Sequence, residues 1–456
     1  MRSTTKTRRS AAALLAAVAL VASACGAPGN NDTAGPSTPA PAPTTPAPTG
    51  EDGCPDDRDP ILIGFLTATT GGVAASGLDM VRGWDLFWEL NGNVFGCREV
   101  RTIHADTASN PDIGLQRARE LVEQRNVDLI VGPLLANVGL AVATYASEQG
   151  VPLFSPVSSA DDLTQRDRLP GVLRVGGWTS SQANHVAGDW AYNEGGYRRA
   201  ITIAADYAFG HENVGGFVNT FTDNGGELVE TIWNPLGTTD FSTFMAQIQA
   251  AATRGNADVV YSSQVGASSA LFLQAWNDFG LGAQLDLVAG ETTTDQALIR
   301  GVTDAAALDG VISVAKYAEG FDAPETQAFV EAFDARYSLI PSYYASTSYV
   351  AAEWTAAALE LVDGNIEDLD AFLGSVRSLS FRTAGGPMSL DDYDNPIQNV
   401  YVRRLERRES DGRFWNVPIK VYEDVSQFWT YDVDQFLQCP VYSREYLGNG
   451  VFPSAC

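Results

Sequence analysis

The sequence predicts an α/β protein with two lobes, each built around a parallel sheet with helices on its faces. Between residues 61 and 314, short apolar or β-branched runs alternate with segments of helical periodicity. Strands that are joined by crossover helices form parallel sheets. Nine such strands exceed the usual width of one compact sheet. Two lobes therefore account for the pattern better than one, and we place the join near Trp178.

The individual elements follow from these local patterns. The predicted strands are residues 61–66, 100–106, 128–132, 151–155, 200–205, 228–233, 258–261, 285–288 and 310–314. The predicted helices between them are residues 78–91, 111–123, 138–148, 211–224, 241–254 and 268–279. Three helices without an intervening strand are then expected at 323–337, 346–361 and 366–378. Alternating and aromatic residues predict a hairpin over 399–423 and a wrapping tail over 425–456.

The charge balance excludes one class of partner. The 456 residues include 29 Lys and Arg against 56 Asp and Glu, which gives a net charge of −27. The first 24 residues carry four of the positive charges and no acid, so the remainder carries 25 − 56 = −31. Such a field repels nucleic acid and anionic lipid headgroups. We therefore expect no nucleic-acid partner.

The first 24 residues have the pattern of a signal peptide. Four basic residues precede an apolar run over 11–21. Eleven apolar residues are too few for a transmembrane helix, which needs about 20. Cys25 at the cleavage point resembles the cysteine of the bacterial lipobox, which is acylated, although Ala22 stands where Leu is usual. The alternative is an ordinary secretory signal, but the seven prolines that follow over 26–50 favour a tether that carries a folded body above a membrane.

The remaining cysteines indicate disulfides. Cys54, Cys97, Cys439 and Cys456 are even in number and contain no CxxC spacing, so disulfides are favoured over a metal site in an exported protein. Three pairings are possible. Because Cys54 precedes the first strand and Cys97 the second, we expect Cys54 to pair with Cys97 and Cys439 with Cys456.

Three loops that follow predicted strands of the first lobe are uncharged and rich in small residues. They contain the candidate ligand contacts Ser76, Leu135, Ala136, Asn137, Val157, Ser158 and Ser159. Ligands of open parallel sheets bind at the carboxyl ends of strands, where helix N-termini offer N–H donors. Such donors and hydroxyls hold a carboxylate without a basic residue. The alternative is that these residues serve only as turn and cap residues.

The corresponding loops of the second lobe carry aromatic and acidic residues. The candidate ligand contacts there are Tyr207, Phe209, Gln264, Val265, Glu291 and Thr292. Tyr207 and Phe209 suit stacking on a ligand, or alternatively belong to the core. Glu291 directly follows a predicted strand and suits a cationic group, or alternatively is a solvated cap.

A series of short motifs runs in order over about residues 60–430. It consists of Gly71-Gly72 with Gly77, Gly83 and Asn91, Asp106, Val131-Gly132-Pro133, Ser155-Pro156, Arg174, the segment 206–210, Pro235-Leu236-Gly237 with Asp240-Phe241, and Gly386-Pro387. This series resembles the leucine/isoleucine/valine-type periplasmic binding proteins of the type I fold, the solute-binding subunits of ABC importers. The resemblance implies two Rossmann-like lobes that are joined by three crossover segments, near Trp178, Tyr317 and Gly386, and that close on a ligand like a hinged trap.

The resemblance also implies a division of the chain. We expect a signal peptide over 1–24, a tether over 25–53, lobe 1 over 54–178 and 318–385, lobe 2 over 179–317 and 386–438, and a disulfide-clipped tail over 439–456.

By the same resemblance, Ser159 corresponds to a Thr that contacts both the carboxylate and the ammonium of an amino-acid ligand. Glu291 corresponds to the acid that receives the ammonium. Ala136 and Val265 depart from the amino-acid binders, which have Ser and Tyr at these positions. Segments 206–210 and 233–241 are more similar to the branch assigned to aromatic acids, which commonly lacks the acid at Glu291. The ligand class therefore stays open between amino acids and aromatic acids.

Enzyme motifs offer little support for catalysis. HExxH, GxSxG and Walker A patterns are absent, and the chain holds three His. Residues 313–316 spell SxxK without its partner motifs, and the acidic cluster 391–395 lacks the Gly and distal Glu of a calcium loop. We expect no catalytic residue, cofactor or metal.

Together these observations predict a lipid-anchored extracytoplasmic solute-binding protein. We expect a monomer that captures a small carboxylate-bearing or polar molecule between two lobes and delivers it to an ABC permease. A ligand-sensing module of the same fold, which reports to a receptor or regulator, is the alternative.

Overall fold

The computed structural model of the protein describes residues 58–448. The predictions for the signal peptide, the tether, Cys25, Cys54 and Cys456 therefore lie outside the described residues. Cys97 lies in the turn that precedes a strand, and Cys439 follows the last helix. The disulfides expected from the sequence, Cys54 with Cys97 and Cys439 with Cys456, stay predictions.

The first lobe is built on a six-stranded sheet. Its elements are β1 Ile61–Thr67, α1 Ala74–Asn91, β2 Val94–Phe95, β3 Arg98–Asp106, α2 Pro111–Arg119, β4 Leu129–Val131, α3 Ala136–Gln149, β5 Leu153–Phe154 and β6 Val172–Leu173. The spatial order is β2-β3-β1-β4-β5-β6, in which only the short β2 is antiparallel to its neighbour. Alternating strand and helix thus produce the doubly wound arrangement that the sequence predicts.

The second lobe contains a nine-stranded sheet. Its first elements are α4 Gln182–Asn193, β7 Arg199–Ala205, α5 Ala208–Asp223, β8 Glu227–Asn234, α6 Ser242–Gly255, β9 Val259–Ser263, α7 Ala267–Asp278, β10 Asp286–Gly290, α8 Gln296–Ile299 and β11 Ile312–Ala315. The five strands among these are parallel, in the order β11-β10-β9-β7-β8.

The chain then returns to the first lobe before it completes the second sheet. Three consecutive helices, α9 Pro324–Tyr337, α10 Tyr343–Leu361 and α11 Leu369–Ser378, contribute side chains to the core of the first lobe. The remaining elements are β12 Ser380–Thr383, β13 Gly386–Leu390, β14 Pro396–Arg407, β15 Phe414–Val425 and α12 Val433–Gln438. These four strands are antiparallel and extend one edge of the second sheet. Each sheet therefore has a parallel centre and an antiparallel addition.

Several elements differ from the sequence pattern. Helix α4 was not predicted because its residues are buried on nearly every side, so it lacks the polar face that gives a surface helix its periodicity. The two-residue strand β6 and the short β12 and β13 were also missed. Helix α10 begins at Tyr343, three residues before the predicted start at 346. The predicted terminal hairpin is present as β14 and β15.

The tail after β15 is fastened to the second lobe through Tyr442. The Tyr442 hydroxyl lies 2.9 Å from His185 Nε2 and accepts a hydrogen bond from Asn219 Nδ2 at 2.9 Å. Its ring packs where Gly215 of α5 leaves room for it. In the part of the chain that the structure describes, no helix combines the length and the apolar character needed to cross a bilayer.

Candidate ligand-binding site between the two lobes

A small, partly open cavity lies between the lobes at the carboxyl ends of the parallel strands. It is lined by Leu134, Leu135, Ala136, Val157, Ser159, Tyr343 and Tyr344 from the first lobe and by Tyr207, Phe209, Val265 and Thr292 from the second. The free space inside it measures about 10 Å³, room for about one water molecule, so the walls lie almost in contact in this form and must part to admit a ligand. None of these lining side chains carries a formal charge.

Four helices begin directly after central strands of the two sheets without a side-chain cap. They are α1, α3, α5 and α7, and they follow β1, β4, β7 and β9. Among the other described helices, α2 and α11 are capped by Asn110 and Asp368, whereas α4, α6 and α9 also lack a side-chain cap. The first backbone N–H groups of an uncapped helix need an acceptor, and the helix dipole makes an anion the favoured one.

Three of these four helix starts reach the cavity. Leu135 and Ala136 open α3, Tyr207 precedes α5, and Val265 lies two residues before α7. Gly266, between Val265 and α7, has φ 62°, and a Cβ on it would lie 2.7 Å from the carbonyl oxygen of Gly72 in the opposite lobe. Glycine therefore lets α7 start directly against the first lobe. The arrangement brings three helix N-termini to the walls of the cavity.

Aromatic rings form the remaining walls. The Tyr207 and Phe209 ring centroids lie 5.9 Å apart, and those of Tyr343 and Tyr344 lie 4.0 Å apart. Phe209 and Val265 of the second lobe belong to the same buried cluster as the core of the first lobe. A flat apolar ligand would therefore contact rings from both lobes at once.

Two fully buried arginines fix the loops behind the cavity. Arg174 donates to the carbonyl oxygens of Ser158 and Ala160, each at 2.5 Å. In the second lobe, Arg403 donates to the carbonyl oxygens of Tyr317 at 2.5 Å and of Glu291 at 3.0 Å. Neither arginine lines the cavity. Backbone oxygens and the hydroxyl groups of Thr164, Ser313 and Thr294 occupy the donors of the two arginines, so both side chains hold the loops in place.

Eight of the residues proposed from the sequence line the cavity. They are Leu135, Ala136, Val157, Ser159, Tyr207, Phe209, Val265 and Thr292. The sequence reasoning missed Leu134, Tyr343 and Tyr344. A signal for the two tyrosines was available, since Ser342 is an N-cap residue whose side chain accepts from the N–H of Ala345.

Five proposed residues lie outside the lining. Asn137 bonds to the N–H of Val138, and Ser158 Oγ donates to the carbonyl oxygen of Leu135 at 3.3 Å. Gln264 donates to Asn234 Oδ1 at 3.0 Å. Ser76 Oγ is buried without a hydrogen-bond partner. These four side chains support the walls rather than form them; the fifth residue is Glu291.

Glu291 is absent from the cavity lining, although its charge acts on the lining residues Tyr343 and Tyr344. Both of its carboxyl oxygens are buried without a hydrogen-bond partner. Burial raises the pKa of Glu291 to about 8, although the charges of Arg403 and Lys316 oppose this rise. Lys316 is buried as well, and burial lowers its pKa to about 7. Its ammonium donates to the carbonyl oxygen of Gly176 at 2.6 Å and lies 5.8 Å from the ring centre of Tyr343.

A sequence profile described as "Periplasmic binding protein" matches residues 60–413, which is most of the chain. The chain belongs to the periplasmic binding protein family. The two-lobe α/β fold predicted from the sequence is thereby confirmed, as is the resemblance that implied it.

Relatives of this periplasmic binding protein are solute-binding proteins. Leu/Ile/Val-binding protein homolog 6 of Brucella melitensis is 26% identical over 371 residues, which cover 80% of this chain and 92% of the relative. An ABC transporter substrate-binding protein from Sphaerobacter thermophilus is 30% identical with a TM-score of 0.76, covering 81% of this chain and 99% of that one. A solute-binding protein of an ABC transporter from R. palustris, solved in complex with benzoate, is 26% identical with a TM-score of 0.73, covering 80% and 98%.

Proposed function

We propose that this protein binds a small aromatic carboxylate in the cavity between its lobes and delivers it to an ABC permease. The observation that carries the proposal is the meeting of uncapped helix N-termini with a wall of aromatic rings. The helix N-termini of α3, α5 and α7 suit one carboxylate, because no N-cap side chain accepts from their first N–H groups, although Val138 of α3 donates to Asn137. The rings of Tyr207, Phe209, Tyr343 and Tyr344 suit a flat apolar body.

The choice of an aromatic acid over an amino acid rests on three positions. Ala136 and Val265 provide no hydroxyl for an α-amino acid, and both line the cavity. Glu291, the residue expected to receive an ammonium group, lies outside the lining. The benzoate complex of the R. palustris relative supports the same ligand class. An aromatic acid also needs no cationic partner in this uncharged space.

Binding would proceed by a shift between open and closed forms. Each lobe contributes only part of the cavity lining, so the ligand makes all its contacts only when the lobes are together. A ligand with this differential affinity shifts the population towards the closed form. The protein then needs neither a cofactor nor a catalytic step for its task.

The cellular part of the proposal rests on the N-terminal sequence. Acylation of Cys25 would anchor the protein outside the cytoplasm, and the proline-rich tether would hold the lobes above the membrane beside a permease. The relatives are solute-binding proteins of ABC transporters, which supports delivery to a permease.

Calorimetric titration with four compounds tests the ligand class. We expect benzoate to bind and benzamide, its neutral counterpart, to bind at least about tenfold more weakly, because a charged acceptor gains about 1.5–3 kcal/mol from buried donors. L-Leucine and L-phenylalanine should bind more weakly still. Tight binding of L-leucine would contradict the proposal, and Glu291→Gln would then identify an ammonium contact by a loss of about 2–5 kcal/mol.

A further inference from the structure

The short helix α8 lies in the contact between the two lobes. It belongs to the second lobe, where Ile299 packs into a buried cluster with residues of β7 and α7. Ala297 and Leu298, on the same single turn, pack instead into the core of the first lobe. Helix α8 is therefore buried from both sides.

The residue before α8 bonds to both lobes. Asp295 Oδ1 accepts from the backbone N–H of Ala297 at 2.8 Å, which caps α8. Asp295 Oδ2 accepts from the backbone N–H of Tyr343 at 2.9 Å, at the first residue of α10 in the first lobe. Asp295 is almost fully buried. One carboxylate thus joins the starts of two helices that belong to different lobes.

The residue after α8 also reaches across the contact. Arg300 Nη2 donates to the carbonyl oxygen of Ile340 at 2.8 Å. Arg300 Nη1 donates to Asp79 Oδ1 at 3.2 Å, and Asp79 is completely buried on α1. The two ends of α8 therefore hold the segment from Ile340 to Tyr343 with side chains of opposite charge.

Both partners of this contact continue directly into the cavity wall. Thr292 lies three residues before Asp295, and the held segment ends at Tyr343, which lines the cavity together with Tyr344. We propose that Asp295 and Arg300 form a closure clamp, which fixes Tyr343 and Tyr344 in the cavity wall only when the lobes come together. The two residues are positioning residues, and the clamp sets how long a ligand stays bound. This inference rests on the proposed ligand-induced closure.

A closure clamp affects the kinetics of ligand binding differently from a residue that only supports the fold. The clamp forms after the ligand has entered, so its loss should raise the dissociation rate and leave the association rate nearly unchanged. A residue that merely supports the fold would instead lower thermal stability and alter both rates together.

Asp295→Asn and Arg300→Gln are the test variants. Asn keeps the cap of α8, but its NH₂ group cannot accept the Tyr343 hydrogen bond. Asp368→Asn is the matched control, because Asp368 caps α11 through the N–H of Ala371 within the first lobe. Arg254→Gln is the control for Arg300, since Arg254 pairs with Glu230 within the second lobe.

Stopped-flow fluorescence with benzoate provides the first measurement. We expect about a tenfold faster dissociation in both test variants, the effect of roughly one hydrogen bond of 1.4 kcal/mol, with association within about twofold of the parent. Arg300→Lys should restore part of the loss. Dissociation rates equal to those of the two controls would overturn the proposal.

Hydrogen exchange of residues 338–346, measured with and without ligand, gives a second measurement. Saturating ligand should slow exchange at this segment in the parent and in Asp368→Asn, and should slow it less in Asp295→Asn because Tyr343 loses its acceptor in the closed form. If benzoate fails to bind the parent protein, the ligand proposal fails, and the same comparison is made with whichever compound of a thermal-shift screen does bind. Equal slowing in Asp295→Asn and the parent would reject the clamp whatever the ligand is.

Discussion

Gly83 of α1 lies against Ala345 of α10 so closely that a Cβ on Gly83 would stand 2.0 Å from the Ala345 carbonyl oxygen. This distance is too short for a side chain to fit between the two helices, so their backbones are in direct contact. Ala345 is the third residue of α10, directly after Tyr343 and Tyr344. The position of two cavity residues therefore depends on the absence of a side chain on α1.

Gly83→Ala should destabilise the protein because the added methyl group forces α1 and α10 apart. Overpacking of this kind costs about 1–3 kcal/mol, and urea unfolding measures it. Gly374→Ala on α11 is the matched control, since nothing lies within 4 Å of a Cβ there. That control should gain roughly 0.5–1 kcal/mol. Equal unfolding midpoints for the two variants would refute the close contact.

Ala136→Pro should weaken anion binding without loss of the fold. Ala136 is the first residue of α3, where proline is tolerated, and Leu135 already has the extended conformation that precedes proline. The substitution removes one N–H donor from the cavity. We expect benzoate affinity to fall about 10–100-fold, since a hydrogen bond to a charged group contributes about 1.5–3 kcal/mol. Calorimetry with benzamide serves as the control, and an equal loss for both compounds would argue against an anion site at α3.

Glu291→Gln should flatten the dependence of stability on pH. Burial raises the pKa of Glu291 from 4.5 to about 8. The contribution of this group to folding stability is therefore complete below about pH 4.5 and is lost as the pH rises through 8. The free energy of unfolding should therefore fall by at most about 1.4 kcal/mol per pH unit from this group.

Urea unfolding between pH 5 and 7 measures the difference between Glu291→Gln and the parent. Lys316, with its pKa lowered to about 7, contributes the opposite slope only above that range. Glu230→Gln, which removes an acid from a surface pair with Arg254, should leave the slope unchanged. If the free energy of unfolding changes with pH in the same way for Glu291→Gln and the parent, Glu291 is already ionised at neutral pH.

Cys25→Ala should release the protein from the membrane. The lipobox-like segment predicts that the Cys25 thiol carries the lipid anchor, and −31 charges downstream offer no electrostatic route to an anionic surface. Membrane fractionation of the expressed protein measures the change, with Ser23→Ala, which keeps Cys25, as the control. Retention of Cys25→Ala in the membrane fraction would argue against acylation.

The alternation of strand and helix patterns predicted most of the fold because buried parallel strands are short apolar runs with clear boundaries. Strand β1, for example, is observed at Ile61–Thr67 and predicted over 61–66. Helix α4 shows the limit, since a helix surrounded by protein has no polar stripe to reveal its period. Two-residue strands such as β6 are equally invisible, because only their neighbours in the sheet define them.

The candidate site was predictable where it depends on local sequence. The loops after β4, β5 and β9 could be found because a ligand crevice lies at the ends of parallel strands. Tyr343 could not be placed by this rule, since α10 follows no strand and is positioned at the cavity by packing on α1 and by the bond of Tyr343 to Asp295. The contact role that the resemblance predicts for Glu291 stays a prediction, since its buried carboxyl group is absent from the cavity lining but lies near the lining residues Tyr343 and Tyr344.

Peptide groups, rather than side chains, supply the acid-binding donors at the helix starts in this proposal. An exchange of Val157 or Val265 for another residue would reshape the space for the ring and leave the peptide groups in place. Substitutions of wall residues can therefore change which ring systems such a protein binds, while its backbone still binds the carboxylate. A broad range of aryl acids could be served by one backbone.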